Sequence, residues 1–117
     1  IKIEPIAAKT VYDPPAYMQA VKVTGAQSII FISGQVDYDA KGQPGHMGDF
    51  AGQARATYAA LKAQVEAAGG TMANIVELNT CLVDMRHRAE LPAIREEFFG
   101  KKGPASTLVG FASSVIS

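Results

Sequence analysis

The chain has 117 residues, 48% of them hydrophobic and 19% charged, and its 11 basic and 11 acidic side chains give a formal net charge of zero. This composition is that of one globular domain spanning residues 1–117, and it excludes a disordered or fibrous protein. It also argues against a nucleic-acid partner, which demands a basic excess, and against a membrane partner, because no apolar run reaches the length of a membrane span.

The first third of the chain is predicted to form strands. Isoleucines recur in residues 1–6, and the segment 16–25 follows an Asp-Pro-Pro breaker and ends in a glycine turn. Residues 28–33, SIIFIS, form a short apolar run that is typical of a buried strand. Residues 24–27, which connect the segment 16–25 to SIIFIS, suit a hairpin loop.

Gly34 and Gln35 directly follow the run SIIFIS. Residues 34–39 are predicted to continue the sheet beyond a bend, and residues 40–45 have the composition of a turn. A glycine at the end of a buried strand lets a ligand or another backbone approach closely, and a simple bulge is an equally good explanation.

A helix from about residue 49 to residue 68 is the clearest predicted element. Its apolar residues recur at spacings of three and four, which makes one continuous stripe. The stripe consists of Ala51, Ala54, Tyr58, Leu61, Val65 and Ala68. Asp49 is predicted to cap the first turn by accepting from free backbone N–H groups, and Gly69 and Gly70 are predicted to end the helix.

The remaining residues predict two strands and a second helix. The strands cover residues 74–84 and 105–111, and the helix runs from about residue 90 to residue 99. Pro92 is tolerated in the first turn of that helix, where its missing N–H has no partner to lose. The order β-β-β-α-β-α-β predicts a two-layer α+β domain, in which two helices cover one face of a mixed sheet.

The other face of the predicted sheet has no covering layer. Residues 28–33 and 79–84 are apolar in runs rather than in strict alternation, so both faces of these strands are apolar. An uncovered apolar face needs a partner, and we therefore expect an oligomer.

The residues that could bind a metal or act as a nucleophile show no recognised motif. His46, His87 and Cys81 lack a metal-ligand spacing, and the chain has no glycine-rich nucleotide motif. We expect neither a metal nor a cofactor. Cys81 is the single cysteine, so an intrachain disulfide is excluded, and this cysteine usage fits a cytoplasmic location. Because Leu82 and Val83 follow it, Cys81 is predicted to be a buried core thiol. Tyr17 is equally well explained as a core aromatic or as a pocket wall.

Five segments in this order resemble the YjgF/RidA family: AYMQAVKV, FISGQVDYD, GDFAGQARATYAALKAQVEAAGG, NIVELNTCLVDM and EEFFGKKGPAS. The resemblance covers roughly residues 14–112. It implies a chorismate-mutase-like α+β fold and a homotrimer with ligand clefts between subunits. It also implies cofactor-free hydrolysis of reactive enamines and imines, such as 2-aminoacrylate, to keto acids and ammonia.

The resemblance further implies that the ligand cleft of this protein lacks an arginine that other family members have. Family deaminases carry a P-A-R motif whose arginine binds the substrate carboxylate, and here Ser106 occupies the matching position. Loss of such a charge-assisted contact costs about 1.5–3 kcal/mol of binding. Pro92 stands where many members have an asparagine. Arg95 lies one turn further along, but the sequence does not place it in the cleft.

The remaining positions that match the family's pocket complete the predicted site. The resemblance implies catalytic positions at Ser106 and Thr107, and substrate-binding positions at Tyr17, Ser33, Gly34 and Pro92. The family's glutamate on the last strand would follow Ser117, so we expect the C-terminal strand to be missing from these 117 residues.

Three functions are compatible with the sequence. The first is an arginine-less family member that binds or hydrolyses a small imine or enamine, resembling 2-aminoacrylate or the ring-cleavage product 2-aminomuconate. The second is a non-catalytic, ligand-binding or regulatory trimer, which is favoured by the loss of functional groups at Pro92 and Ser106. The third is the endoribonuclease or translation-inhibitor activity attributed to some family members, and the neutral charge argues against it.

Overall fold

Two pairs of strands and two α-helices form the fold of residues 1–110, which are the residues that this computed structural model describes. In the first pair, β1 (Lys2–Ile6) and β2 (Ala20–Thr24) are antiparallel, with Ile3 opposite Val23. Both strands were predicted from the β-branched residues of this region, although β2 is shorter than the segment 16–25.

The second pair of strands is parallel. β3 (Glu77–Leu82) lies beside β4 (Ala105–Gly110), with Leu78 next to Ser106 and Thr80 next to Leu108. Parallel neighbours require a long crossover connection, which a helix usually supplies. Here it consists of a 3-10 helix, residues 85–90, followed by the second α-helix. The position predicted at 111 as the end of this strand lies outside the described residues.

Helix α1 (Phe50–Ala67) begins and ends within one residue of its predicted bounds. The Asp49 carboxylate accepts a hydrogen bond from the backbone N–H of Gly52 at 3.1 Å, as expected of an N-cap. Gly69 adopts a φ of +90°, a left-handed conformation that ends the helix. The apolar stripe buries Tyr58 and Val65.

Helix α2 (Leu91–Phe99) also agrees with the prediction, and Pro92 lies in its first turn. Leu91 and Ile94 are its most buried side chains. Within residues 1–110 neither helix is both long and apolar enough to cross a bilayer. Gly100, with a φ of +77°, ends α2 and starts the connection to β4.

The two helices cover one face of the β3–β4 pair. Along β3, half-buried Leu78 and Thr80 and buried Leu82 alternate with exposed residues. Arg95 of α2 donates a hydrogen bond to Thr80 at 2.7 Å and another to Tyr58 of α1 at 3.1 Å, so both helices meet over the same face. The predicted two-layer α+β fold with two helices on one face is confirmed.

The opposite face of this strand pair is exposed, and it includes Cys81. The prediction of a buried thiol was therefore wrong. Side chains alternate across a strand, and Cys81 follows Thr80 onto the face that neither helix covers. Apolar neighbours on the chain did not determine which face the thiol would occupy.

The predicted strand over residues 28–33 is absent, and so is its hairpin with β2. Within residues 1–110 this segment pairs with no strand, and Ile29 and Phe31 are 75% and 92% exposed. β2 pairs with β1 instead, so the described strands form two separate pairs rather than one sheet. An apolar run indicates that a segment tends to be buried, but burial also requires a neighbouring strand and a covering layer, and residues 1–110 of one chain supply neither to the run.

The turn predicted over residues 40–45 is present. Gly42 has a φ of +78°, and the backbone N–H of Asp39 donates to the carbonyl of Gln43 at 2.9 Å. The segment 34–39 does not extend a sheet, because its only ladder contact among the described residues is an isolated bridge at Tyr38.

Candidate functional site

A cleft of about 440 Å³ opens beside α2 and the β3–β4 pair. The helix, the strand pair, the segment before β2 and the connection that follows α2 each contribute to its walls. The residues most relevant to its chemistry are Tyr17, Leu78, Pro92, Arg95, Ser106 and Leu108. The cleft therefore brings together three of the six predicted site residues, which are far apart in the sequence.

Backbone hydrogen bonds position Tyr17 at this cleft. The N–H of Gly103 donates to the carbonyl of Ala16 at 2.8 Å, and the N–H of Met18 donates to the carbonyl of Gly103 at 3.1 Å. These bonds form a parallel bridge of Tyr17 with Gly103. Tyr17 is half-buried, so of the two explanations open from the sequence, a pocket wall is the one that this location favours.

Ser106 and Thr107 point to opposite faces of β4. Ser106 lies next to Leu78 on the helix-covered face and lines the cleft, whereas Thr107 is exposed on the other face. The cause is the two-residue period of a strand. Neither the catalytic assignment of Ser106 nor that of Thr107 is tested by this arrangement, and both stay predictions.

Ser33 and Gly34 lie in the irregular segment that follows Ile32, and they are not among the residues that line the cleft. The Ser33 carbonyl accepts a hydrogen bond from the side-chain amide of Gln35 at 3.0 Å. The space that a side chain at Gly34 would enter is open: apart from Gly34 and its two chain neighbours, no described atom lies within 4 Å of where its Cβ would be. Their predicted substrate-binding roles stay predictions.

Arg95 is a cleft residue that sequence reasoning did not place. Pro92, Arg95, Glu96 and Phe99 all line the cleft, and their spacing of three, four and seven residues puts them on one side of α2. Counting from Pro92, already assigned to the site, would have placed Arg95 there. The guanidinium lies over β3, where its Nε donates to the Tyr58 hydroxyl and its Nη2 to the Thr80 hydroxyl.

The cleft is positively charged although the whole chain is neutral. Among residues 1–110, the charged side chains that line it are those of Arg88, Arg95 and Lys101 and one carboxylate, that of Glu96. Arg95 is half-buried, whereas the other three charged residues are exposed. An exposed charge is screened by water and salt, and a half-buried charge is screened less. The electrostatics of the cleft interior therefore depend mainly on Arg95, and they favour an anionic ligand.

A second polar pair lies outside the cleft. The His46 Nδ1 is 2.7 Å from a carboxylate oxygen of Asp37, which is 7% exposed. His46 has a φ of +50°, a left-handed conformation uncommon for a residue other than glycine. No group of three or more potential metal ligands occurs in the described part of the chain. The sequence did not predict this pair, because it is the fold of the loop that brings Asp37 and His46 together across nine residues.

The clearest pKa shift in the described structure lies just before α2. Arg86 lies beside Asp84, and its side chain and backbone N–H both donate to the carboxylate. These hydrogen bonds lower the pKa of Asp84 from 3.8 to about 2. Asp84 is the N-cap of the 3-10 helix that leads into α2, so the shift reports on a structural cap rather than on the chemistry of the cleft.

Comparison with known proteins agrees with the fold. The family model described as endoribonuclease L-PSP matches residues 10–114. A RutC family protein of Pyrococcus horikoshii is 33% identical over 93 residues, covering 80% of this chain and 71% of the relative. The mitochondrial protein MMF1 of Saccharomyces cerevisiae is 30% identical over 114 residues, covering 95% of this chain and 74% of the relative.

The crystal structure of YyfB, a Rid-family protein of unknown function from Yersinia pestis, superposes on this chain with a TM-score of 0.85. The two are 26% identical, and the match covers 98% of this chain and 90% of YyfB. The predicted α+β architecture is thus also that of a solved Rid-family protein. The chain belongs to the endoribonuclease L-PSP family, which is the YjgF/RidA family that its sequence resembles.

Proposed function

We propose that this protein acts in the cytoplasm as a RidA-like homotrimer that binds a small metabolite in a cleft completed between subunits. The proposed reaction is the hydrolysis of an imine or enamine to a carbonyl compound and ammonia. Family membership supports a small-metabolite protein of this type. The observation on which the proposal depends most is the positively charged cleft that contains Tyr17, Pro92 and Ser106.

The proposed reaction needs no redox partner. Water adds to the carbon of the C=N bond, a proton moves to the nitrogen, and the C–N bond breaks to release ammonia and leave a carbonyl group. An enamine first takes a proton at carbon and loses one from nitrogen, which gives the imine with no net change of charge. What the protein has to supply is a site that holds the substrate and positions water. The Ser106 hydroxyl is suited to hydrogen-bond a neutral polar atom of the substrate, and Tyr17 to enclose its carbon chain.

Self-association would explain the exposed surfaces of the single chain. The sheet face with Thr107 and Val109 is exposed, and so are the apolar side chains of Ile29 and Phe31. In a trimer these surfaces would be covered, and Ser33, Gly34 and Thr107 would reach the cleft of a neighbouring subunit. Sedimentation equilibrium tests this point: we expect three times the chain mass of 12.3 kDa, and a stable monomer at micromolar concentration would contradict it.

The activity itself is tested with imines generated in situ. One assay uses 2-aminoacrylate and follows pyruvate and ammonia, and a parallel assay uses the larger 2-aminomuconate. Because Ser106 replaces the family's arginine, we expect slow turnover of 2-aminoacrylate. Rates equal to those of heat-inactivated protein for both substrates would contradict the hydrolase proposal.

A second candidate function is ligand binding without turnover. It is favoured by Ser106 and Pro92, which remove a guanidinium and an amide and introduce no group that transfers protons at neutral pH. A carboxylate that raises the melting temperature but is not converted would favour this alternative. The endoribonuclease named by the family model finds no support in the chain's net charge of zero.

A further inference from the structure

We infer that Arg95 is the residue that binds the carboxylate of the ligand in this cleft, and that it replaces, from α2, the positive charge that is absent at position 106 on β4. This inference rests on the proposal that the cleft binds a small metabolite. What it adds is the residue of this chain that binds the carboxylate of that metabolite.

The first argument is the orientation of the Arg95 guanidinium. Its two hydrogen bonds, to the Tyr58 hydroxyl at 3.1 Å and to the Thr80 hydroxyl at 2.7 Å, come from Nε and Nη2. These use two of the five N–H donors of the planar fork. One acceptor belongs to α1 and the other to β3, so the fork is held between two elements of the fold. A guanidinium oriented in this way loses little freedom when it binds a carboxylate.

The second argument is charge. Both acceptors are neutral hydroxyl groups, and among the ion pairs within residues 1–110 none includes Arg95. The described residues thus give this half-buried cation hydrogen-bond acceptors but no counter-charge, and an anionic ligand in the cleft would supply one. Arg55 provides the contrast, since its Nε lies 2.9 Å from a carboxylate oxygen of Glu97.

The third argument is the location of Arg95 relative to Ser106. Thr80, to which Arg95 donates, lies beside Leu108, and Leu108 is two residues after Ser106 on the same face of β4. Two residues along a strand correspond to about 7 Å. A ligand with a carboxylate at one end and a neutral polar atom a few bonds away therefore spans Arg95 and Ser106, which fits a short oxo acid or its imine.

The probe for the test is 2-oxobutanoate, a keto acid, and its uncharged counterpart is 2-butanone. Calorimetric titration measures the binding of each to the wild type and to Arg95→Met, Arg95→Lys and Arg55→Met. We expect Arg95→Met to weaken 2-oxobutanoate binding roughly 10- to 150-fold, as loss of a charge-assisted contact implies. Arg95→Lys should recover part of the affinity, because it restores the charge but not the fork.

Arg55→Met is the matched control, because it removes an arginine that lies outside the cleft, and it should bind 2-oxobutanoate like the wild type. Binding of 2-butanone should be the same in all four proteins. If Arg95→Met does not fold, as judged by circular dichroism, a drop of several-fold in Arg95→Lys relative to Arg55→Met is the decisive comparison. Equal affinity for 2-oxobutanoate in every protein that folds would overturn the inference, as would a wild type that does not bind this keto acid.

The outcomes also separate this inference from the proposed function. Binding of 2-oxobutanoate that requires Arg95, without turnover of any imine, would support the inference and contradict the hydrolase. Imine turnover with an unchanged KM in Arg95→Met would support the hydrolase and contradict the inference.

Discussion

Tyr17 lies directly beside Gly103, and the two are joined only through the backbone, by the bonds that Gly103 makes to Ala16 and Met18. The Tyr17 side chain takes no part in this bridge. Its contribution to the cleft can therefore be removed without loosening the segment that bears it.

We expect Tyr17→Ala to weaken the binding of 2-oxobutanoate by about fivefold, because a half-buried aromatic ring contributes on the order of 1 kcal/mol of apolar contact. Tyr17→Phe should bind nearly as tightly as the wild type, since it keeps the ring. Calorimetric titration measures both. Equal affinity in Tyr17→Ala and wild type would show that the ring does not enclose the ligand.

An arginine at position 106 of β4, where the family resemblance leads us to expect one, should increase activity. In Ser106→Arg we expect turnover of 2-aminoacrylate to rise about tenfold, because a new guanidinium on the cleft-lining face of β4 adds a charge-assisted contact to the carboxylate. The comparison variant is Ala63→Arg, which adds the same charge at an exposed position of α1. A rise in both variants would point to general electrostatic attraction, and a rise in neither would contradict the proposed role of position 106 in binding the substrate.

The effects of substitutions at Gly52 and at Asp49 on the free energy of unfolding should be strongly coupled. A glycine-to-alanine change in a helix normally stabilises by up to about 1 kcal/mol. Here a Cβ on Gly52 would overlap the Asp49 carboxylate that caps α1 and would also crowd the His46 ring. We therefore expect Gly52→Ala to lower the free energy of unfolding by about 1 kcal/mol, as loss of an N-cap does.

The same substitution made in an Asp49→Ala background should be less destabilising than in the wild type, since the capping carboxylate is no longer there to displace and only the His46 ring is still crowded. Urea unfolding of the wild type, the two single variants and the double variant measures the coupling. Additive effects, within about 0.3 kcal/mol, would mean that the cap and the glycine are independent.

Acid should destabilise the protein partly through Asp84. The folded pKa of Asp84, about 2, is below its ordinary value of 3.8, so its contribution to stability is full above pH 3.8 and is lost as the pH falls toward 2. We expect the urea midpoint of the wild type to fall more steeply across this range than that of Asp84→Asn, which keeps a capping side chain but does not titrate. Parallel curves would show that the pairing with Arg86 does not stabilise the folded state.

The elements that the sequence predicted well are those fixed by nearby residues. α1 has its cap at Asp49, its apolar stripe and its left-handed glycine at Gly69 within one continuous stretch, and its bounds were predicted to within a residue. Pro92 marks the first turn of α2 in the same way. Such signals depend on backbone geometry that is set over a few residues.

The features that the sequence did not predict depend on distant neighbours. SIIFIS was expected to be a buried strand, yet whether it pairs is decided by chain segments elsewhere. Cys81 was expected in the core, but the register of β3 places it on the uncovered face. Arg95 was not placed in the cleft because its surroundings are created by Tyr58 and Thr80, which lie 37 and 15 residues away.

The side chains of helix α2 contact two different surroundings, the interior of the domain and the cleft. Leu91 and Ile94 are its buried side chains, although Leu91 also borders the cleft, while Pro92 and Arg95 contact the cleft. Substitutions at Pro92 therefore change the lining of the cleft and leave the buried side chains in place, whereas substitutions at Arg95 also break its hydrogen bonds to Tyr58 and Thr80. A directed library that aims to change ligand preference should accordingly begin at position 92.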